Sequence, residues 1–300
     1  MIHQSMRYFF YFLLCGAILS GCQQSMNNAT TELEKALESS PNIQNAQALI
    51  NQYLEDGELM KNPSKKEQLY AKASKVALDH KVYGQAMGIL QQLILNFPDS
   101  PETISRLTQI SQIFSTLRRD DANAILLRTM AEKHPNNDEI KQLNNRFNVP
   151  TVSSDSLISS LGIKMFNDSL LQLNKPAARQ YVDACEAYAM VMGSDPKAAE
   201  YLHKGAETAR SLQTIDKAIL LYDWIIERYP DHPRAAQSLF LKAFTLDNNL
   251  KNYDEARTLY EEFLKKYPEN EFVASAQFLL ENLGKSDEEL LETLQKKGKE

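Results

Sequence analysis

Apolar positions along most of the chain recur at helical rather than strand intervals, and two stretches repeat nearly residue for residue. Residues 218–230 read AILLYDWIIERYP and residues 256–268 read ARTLYEEFLKKYP, with Ala, Tyr and the closing Tyr-Pro in register. Counting back twelve from each helix-ending proline gives Ala86 from Pro98, Ala218 from Pro230 and Ala256 from Pro268. Four residues after each Ala stands a large apolar side chain: Leu90, Tyr222 and Tyr260. Thirteen residues before each Ala stands a small one: Ala73, Gly205 and Ala243. A fainter copy has Ser111, Ala124 and Pro135, one residue short before the proline. Small residues let two antiparallel helices approach closely, and an apolar side chain one turn on fills the gap to the next pair. Proline then stops the second helix. A helix pair cannot bury its apolar face alone, so the unit has to recur.

Gly numbers 10 and Pro 11 among 300 residues, and no β-branched alternation interrupts the helical pattern, so long helices and short turns are expected and no strand. The predicted helices cover about 43–55, 64–80, 82–97, 101–117, 120–133, 137–146, 156–173, 176–192, 196–212, 214–228, 232–247, 253–267, 270–283 and 286–297. Ser286 and Glu289 form a capping box ahead of a charged final helix that suits a solvated end. FNVPTVSSD, residues 147–155, breaks the pattern, either as a linker between two superhelical halves or as a long turn in one array. Residues 156–192 fit poorly: Ala184, Tyr188 and Pro196 are in phase, but Leu171 occupies the small position.

The spacing Ala-x3-Tyr-x7-Pro with a small residue on the preceding helix resembles the tetratricopeptide repeat, most clearly over 238–285. The resemblance implies an all-α, tetratricopeptide-like α-solenoid of antiparallel helix pairs, over 32–146 and again over 156–300. The copies lie 37 or 38 residues apart where the family's period is 34, partly through a longer turn at Asp247–Tyr253. The family's small residue seven after the Ala is replaced by Leu93, Ile225 and Phe263.

The N-terminus adds a second resemblance. Arg7 precedes an apolar run from Tyr8 to Leu19, shorter than the roughly 20 residues of a membrane span. Two readings follow, an uncleaved anchor helix or a signal cut before Cys22. Leu19, Ser20, Gly21 and Cys22 resemble the bacterial lipobox, in which the cysteine thiol takes a diacylglycerol and the new amine is acylated. This implies a signal over 1–21, a polar tether over 22–31, and attachment to a membrane through buried acyl chains. Gln23 after the cysteine, where an Asp would favour inner-membrane retention, leans the resemblance towards the periplasmic face of the outer membrane. Envelope tetratricopeptide lipoproteins of outer-membrane assembly and of the Tol-Pal system are similar in both features.

Chemistry narrows the function further. With Cys15 in the signal and Cys22 acylated, Cys185 is left alone, and a lone thiol reads as a small buried hydrophobe. Among His3, His80, His134, His203 and His232 no spacing suits a metal, and His134 and His232, beside prolines, are expected in solvated turns. No nucleophile or phosphate-loop motif occurs, and Asp120-Asp121 reads as an N-cap and helix-dipole partner. Trp224, six residues past Ala218, is placed to pack on a neighbouring pair rather than to stack on a ligand. The net charge of −6 argues against nucleic acid and favours basic partner segments. No enzyme activity, metal or cofactor is expected beyond the lipid on Cys22. The resemblance implies a lipid-anchored scaffold for envelope proteins, in outer-membrane biogenesis or maintenance; the alternative is a lipoprotein that captures a glycan or nutrient beside an outer-membrane transporter. Repeat position places Tyr70, Gln112, Gln237 and Phe244, with Glu67, Ser74, Thr108 and Ala206, along a concave groove.

Overall fold

A computed structural model of the chain describes residues 28–167, 172–285 and 289. The signal and lipobox residues Leu19, Ser20, Gly21 and Cys22 lie outside the described residues, as do Leu171, Ser286 and nearly all of the charged C-terminal segment. The fold is all-α, built of antiparallel helices packed in consecutive pairs as in a tetratricopeptide-like solenoid. A first helix, α1, covers 28–39. It is followed by α2 (Ile43–Glu58), α3 (Pro63–Asp79), α4 (Tyr83–Asn96), α5 (Thr103–Thr116), α6 (Asp120–Lys133) and α7 (Asp138–Arg146). Then come α8 (Ser154–Lys164), β1 (Phe166–Asn167), β2 (Gln172–Leu173), α9 (Lys175–Val191), α10 (Lys197–Ser211) and α11 (Ile215–Arg228). The series ends with α12 (Pro233–Thr245), a π-helical turn (Leu246–Leu250), α13 (Tyr253–Lys266) and α14 (Val273–Glu281).

Side-chain caps start many of these helices. Asn42, Asn62, Asn137, Ser153 and Asn174 each accept a hydrogen bond from the backbone N–H three residues on. Pro63 and Pro176 follow two of them in the first turn, where no N–H is missed. His232 caps α12 through Nδ1, which accepts from the Arg234 N–H at 3.2 Å, so it is half-buried and engaged rather than a solvated turn residue. At α6 the sequence reading needs correction too. Asp120 and Asp121 lie in its first turn, and Arg119 holds the N-cap position. The exposed N–H groups are met from outside, by Gln180 Oε1 of α9, at 2.9 Å from Asp121 N and 3.4 Å from Ala122 N.

Two stretches expected otherwise differ in the structure. Residues 28–31, assigned to the tether, are the first turn of α1, because Thr30 Oγ1 donates to Asp56 Oδ2 of α2 at 2.6 Å and the Glu34 carboxylate accepts from the Tyr53 hydroxyl. The helix expected over 156–173 stops at Lys164. A two-residue antiparallel ladder follows, pairing Phe166 with Leu173 and Asn167 with Gln172.

The chain divides into two compact units, one ending at Ile113 and the other starting at Phe114 within α5. The 147–153 connection therefore lies inside the second unit rather than between halves. It is fastened there: Ser154 N–H donates to Glu132 Oε1 at 2.9 Å and its hydroxyl donates to Oε2 at 2.5 Å. Tyr201 of α10 donates to Asp155 Oδ1 at 2.7 Å.

Within each unit consecutive helices pack on one another, α2 on α3 and α3 on α4 in the first, α9 on α10, α10 on α11, α11 on α12 and α12 on α13 in the second. Ala73, Ala86, Ala218, Ala243 and Ala256 have no exposed surface, and neither do Leu93, Ile225 and Phe263, the large residues where the family has small ones. Gly205 shows why the crossing residue is small. A Cβ there would lie 3.2 Å from Cys185 Cβ and 3.4 Å from Leu221 Cδ1. Tyr222 and Tyr260 are fully buried, and Trp224 is buried against the protein as expected.

The turns between paired helices repeat one design. Lys81, Arg118, Gln213 and Lys251 all have φ between 55° and 60°, the left-handed region usually left to glycine. The next N–H closes on a carbonyl five residues back, Val82 to Ala77, Arg119 to Phe114 and Thr214 to Ala209, at 2.8–2.9 Å. Aligning the copies on these residues moves two of the sequence assignments. In the α5–α6 copy the equivalents of Ala73 and Ala86 are Ile110 and Asn123, each one residue before Ser111 and Ala124, and Asn123 lies twelve before Pro135 as in the other copies. Ile110 and Asn123 are buried, whereas Ala124 is half-buried. In the α12–α13 copy the closing bond runs from Asn252 N to Leu246 O, one residue longer. The π-helical turn takes up that residue, so Ala243 stands at the position of Ala206, and Lys242 at that of Gly205.

Candidate functional site

The expected groove residues lie on α3, α5, α10 and α12, and the structure surrounds them differently. In the first unit Arg106 of α5 reaches the Glu67 carboxylate of α3 and, through Nη1, the Leu93 carbonyl at 3.3 Å. Burial opposes the ionisation of Glu67, but hydrogen bonds from Ser100 and Arg106 outweigh it and hold the carboxyl below its usual range. Beside this pair a cleft of about 270 Å³ opens between α3 and α5, lined among others by Ser74, Lys75, Asp79, Ser105 and Gln109. Tyr70 is not part of this surface. It is 4% exposed, its ring lies where a Cβ on Gly57 would come within 2.8 Å, and its hydroxyl donates to Glu58. The small residue Gly57 on α2 draws the ring into the α2–α3 contact. Gln112 is exposed and Thr108 half-buried, while Ser74 and Ala206 are largely enclosed in their helix contacts.

In the second unit α10 and α12 lie side by side. Gln237 accepts from Arg234, whose Nε donates to Glu200 Oε2 at 2.9 Å, so Gln237 belongs to a polar chain that ties α12 to α10. Phe244 is half-buried and faces the Arg210 guanidinium 5.8 Å from its ring centroid. Arg210 also borders a second cleft, of about 350 Å³, whose apolar wall is Met165, Phe166, Leu173 and Tyr181 and whose α10 wall includes Lys204, Glu207 and Thr208. Phe166 is 65% exposed at the lip. Sequence reading missed this cleft, because two-residue strands leave no period to detect and the apolar residues were absorbed into a helix.

The Cys185 thiol is fully buried and its pKa is pushed well up by desolvation, which suppresses the thiolate. Among the described residues no three His, Cys, Asp or Glu side chains cluster to hold a metal ion. No described helix is long and apolar enough to cross a membrane.

Residues 237–270, which span α12, the π-helical turn and α13, match the family model of the tetratricopeptide repeat. No curated protein matches the chain. The matched stretch is the copy with the strongest internal repetition, and over it the chain is similar to that family. Stacked repeats of this kind present extended binding surfaces.

Proposed function

We propose that this chain is a lipid-anchored scaffold of the bacterial envelope, which holds partner proteins on the exposed faces of its first helices in outer-membrane biogenesis or maintenance. The observation that carries the reading is the pairing of α10 with α12. They are the first helices of consecutive repeat pairs and touch one another, with Lys204 and Glu207 exposed and Gln237 and Phe244 half-buried. A surface built from repeats presents a long face without internal rearrangement, which suits an extended partner. The lipid half of the proposal rests on Leu19, Ser20, Gly21 and Cys22. An acyl anchor at Cys22 leaves few residues before α1, and a short tether keeps the helices within tens of ångströms of the membrane, at about 3.5 Å per residue. The partners are therefore other envelope proteins, and the outer-membrane periplasmic face is the site proposed.

A photo-crosslinking side chain at Gln237, compared with one at the exposed Leu220 of the second helix α11, tests the binding surface in living cells. An adduct with an envelope protein from Gln237 and not from Leu220 is expected. No adduct from Gln237, or the same adduct from both, would remove the assignment. Acyl labelling of Cys22→Ser tests the anchor separately, with loss of label expected.

A further inference from the structure

We propose that the turn between α2 and α3 is a second membrane contact, in which Leu59 and Met60 enter the interface of an anionic lipid surface and Lys61 and Lys65 meet its headgroups. The inference deepens the lipid-anchor half of the function proposed above and rests on it. Its first support is where the N-terminal end of the chain joins the fold. Thr30 of α1 donates to Asp56 of α2 at 2.6 Å, and one turn further Tyr53 of α2 donates to Glu34 of α1. The two helices therefore run antiparallel, and their register brings Asn28 level with Glu58 and Leu59. Five uncharged residues, QQSMN, separate Cys22 from Asn28. At full extension that connection spans about 20 Å. An acyl anchor at Cys22 therefore brings this end of the first unit, rather than the α1–α2 turn, closest to the lipid.

The second support is what this end carries. Leu59 is 66% exposed, Met60 is half-buried, and Lys61 and Lys65 are exposed. The exposure is not that of a frayed end. The Leu59 N–H donates to the Glu55 carbonyl at 3.3 Å and the Met60 N–H to the Gly57 carbonyl at 3.1 Å. Asn62 then starts α3 by accepting from the Lys65 N–H at 3.2 Å, with Pro63 in the first turn. A leucine held outwards on a fixed turn has little ordering left to lose when it enters an apolar phase.

The charges at this end are sorted. Asp56 is buried and accepts from Thr30 and Gln52, while Glu58 accepts from Lys66 at 2.9 Å and from the Tyr70 hydroxyl. Glu55, one turn back along α2, is an exposed acid and opposes the lysines. The turn and the start of α3, residues 59–65, add only Lys61 and Lys65. An anionic surface repels a chain of net charge −6 as a whole, so local cations decide which end approaches it. Lysine stems lie along apolar surface while their ammonium groups reach the headgroups, which suits a leucine entering beside them. Such a contact is weak alone. Beside an acyl anchor it becomes intramolecular, and it then keeps the first unit from swinging on its tether.

The test uses the full acylated chain in vesicles of phosphatidylcholine and phosphatidylglycerol, with an environment-sensitive dye on Ser64→Cys or, for comparison, on Gln44→Cys. Both positions are exposed; Ser64 adjoins the turn, and Gln44 lies at the other end of α2, about 20 Å away along the helix. Cys185 is buried and does not take the dye. Lipid spin-labelled at the headgroup should quench the dye at Ser64 about twofold or more beyond that at Gln44. Leu59→Ser, which alters an exposed side chain only, should lower the Ser64 quenching about twofold, and so should Lys61→Gln with Lys65→Gln or added salt. Equal quenching at the two positions, or a Ser64 signal unchanged by Leu59→Ser, would overturn the proposal. A dye shift at Ser64 that grows with protein density and is not quenched by the labelled lipid assigns the turn to a second copy, and overturns it too. Acyl label on Cys22 without quenching at Ser64 removes this contact and leaves the anchor standing; absence of acyl label removes both.

Discussion

Arg119 Nη1 donates to Asp183 Oδ2 at 2.7 Å, joining the residue that opens α6 to the middle of the buried helix α9. One turn on, Lys217 of α11 donates to Glu186 Oε1 at 2.8 Å. Helix α9 thus places two carboxylates inside the second unit, each met by a cation from a flanking helix or its cap.

The first pair sets a pH dependence. Burial pushes the Asp183 carboxyl up to about 6, with Arg119 and Lys217 working against the rise and Glu186 adding to it. An unfolded aspartate titrates near 3.9, so between about pH 4 and 6 the folded state binds more protons. Stability from this group therefore falls as pH rises through that window. Asp183→Asn should remove the dependence, so that the unfolding free energy of wild type minus variant drops by about 2 kcal/mol from pH 4 to pH 7. Equal slopes for the two proteins would contradict it.

Glycines divide by what surrounds them. Gly205→Leu forces side-chain atoms between Cys185 and Leu221 and should cost about 1–3 kcal/mol. Gly57→Ala should be destabilising as well, since the Tyr70 ring is only 2.8 Å from the added Cβ. Gly88 in α4 is exposed and has nothing within 4 Å of an added Cβ, so Gly88→Ala should stabilise by about 0.5–1 kcal/mol. Denaturant midpoints measured side by side check the order.

The left-handed turn residues predict a contrast at one position. Gln213→Val places a β-branched residue at φ 60° and should lower stability by about 1–2 kcal/mol. Gln213→Gly removes the steric cost and should leave the melting temperature unchanged or slightly higher. A valine variant as stable as the glycine variant would mean that the turn is not held in this conformation.

Cys185 should be silent towards a thiol reagent in the folded protein and react fully in denaturant, because it is buried and its thiolate is disfavoured. Labelling at native rates comparable to a free thiol would be inconsistent with that burial.

Much of this architecture was legible because helix pairs write their contacts into sequence at fixed distances. Ala86, Ala218 and Ala256 could be found from prolines alone, and their burial follows from the close approach of two helices. The α5–α6 copy was misread by one residue for a physical reason. Its crossing positions hold Ile110 and Asn123, and a search for small residues moves to Ser111 and Ala124 beside them. The left-handed turn residues are lysine, arginine and glutamine, so no glycine announced them. The surroundings of the expected groove residues were legible only in part. Gln237 and Phe244 do lie on the α10–α12 side, but Tyr70 was taken into a contact made available by Gly57 on another helix, a relation between distant residues that no local spacing encodes.

The left-handed residue between paired helices acts as punctuation. Lys81, Arg118, Gln213 and Lys251 each stand five residues ahead of the buried residue that starts the next contact: Ala86, Asn123, Ala218 and Ala256. Whatever length precedes the mark, the frame restarts after it. The extra residue held by the Leu246–Leu250 turn is spent before Lys251, and the following helix reads in register. An insertion or deletion upstream of such a mark is a local spelling change rather than a frameshift. An array built this way can drift in length copy by copy over evolutionary time, losing its resemblance to a fixed-period pattern while its stack stays intact.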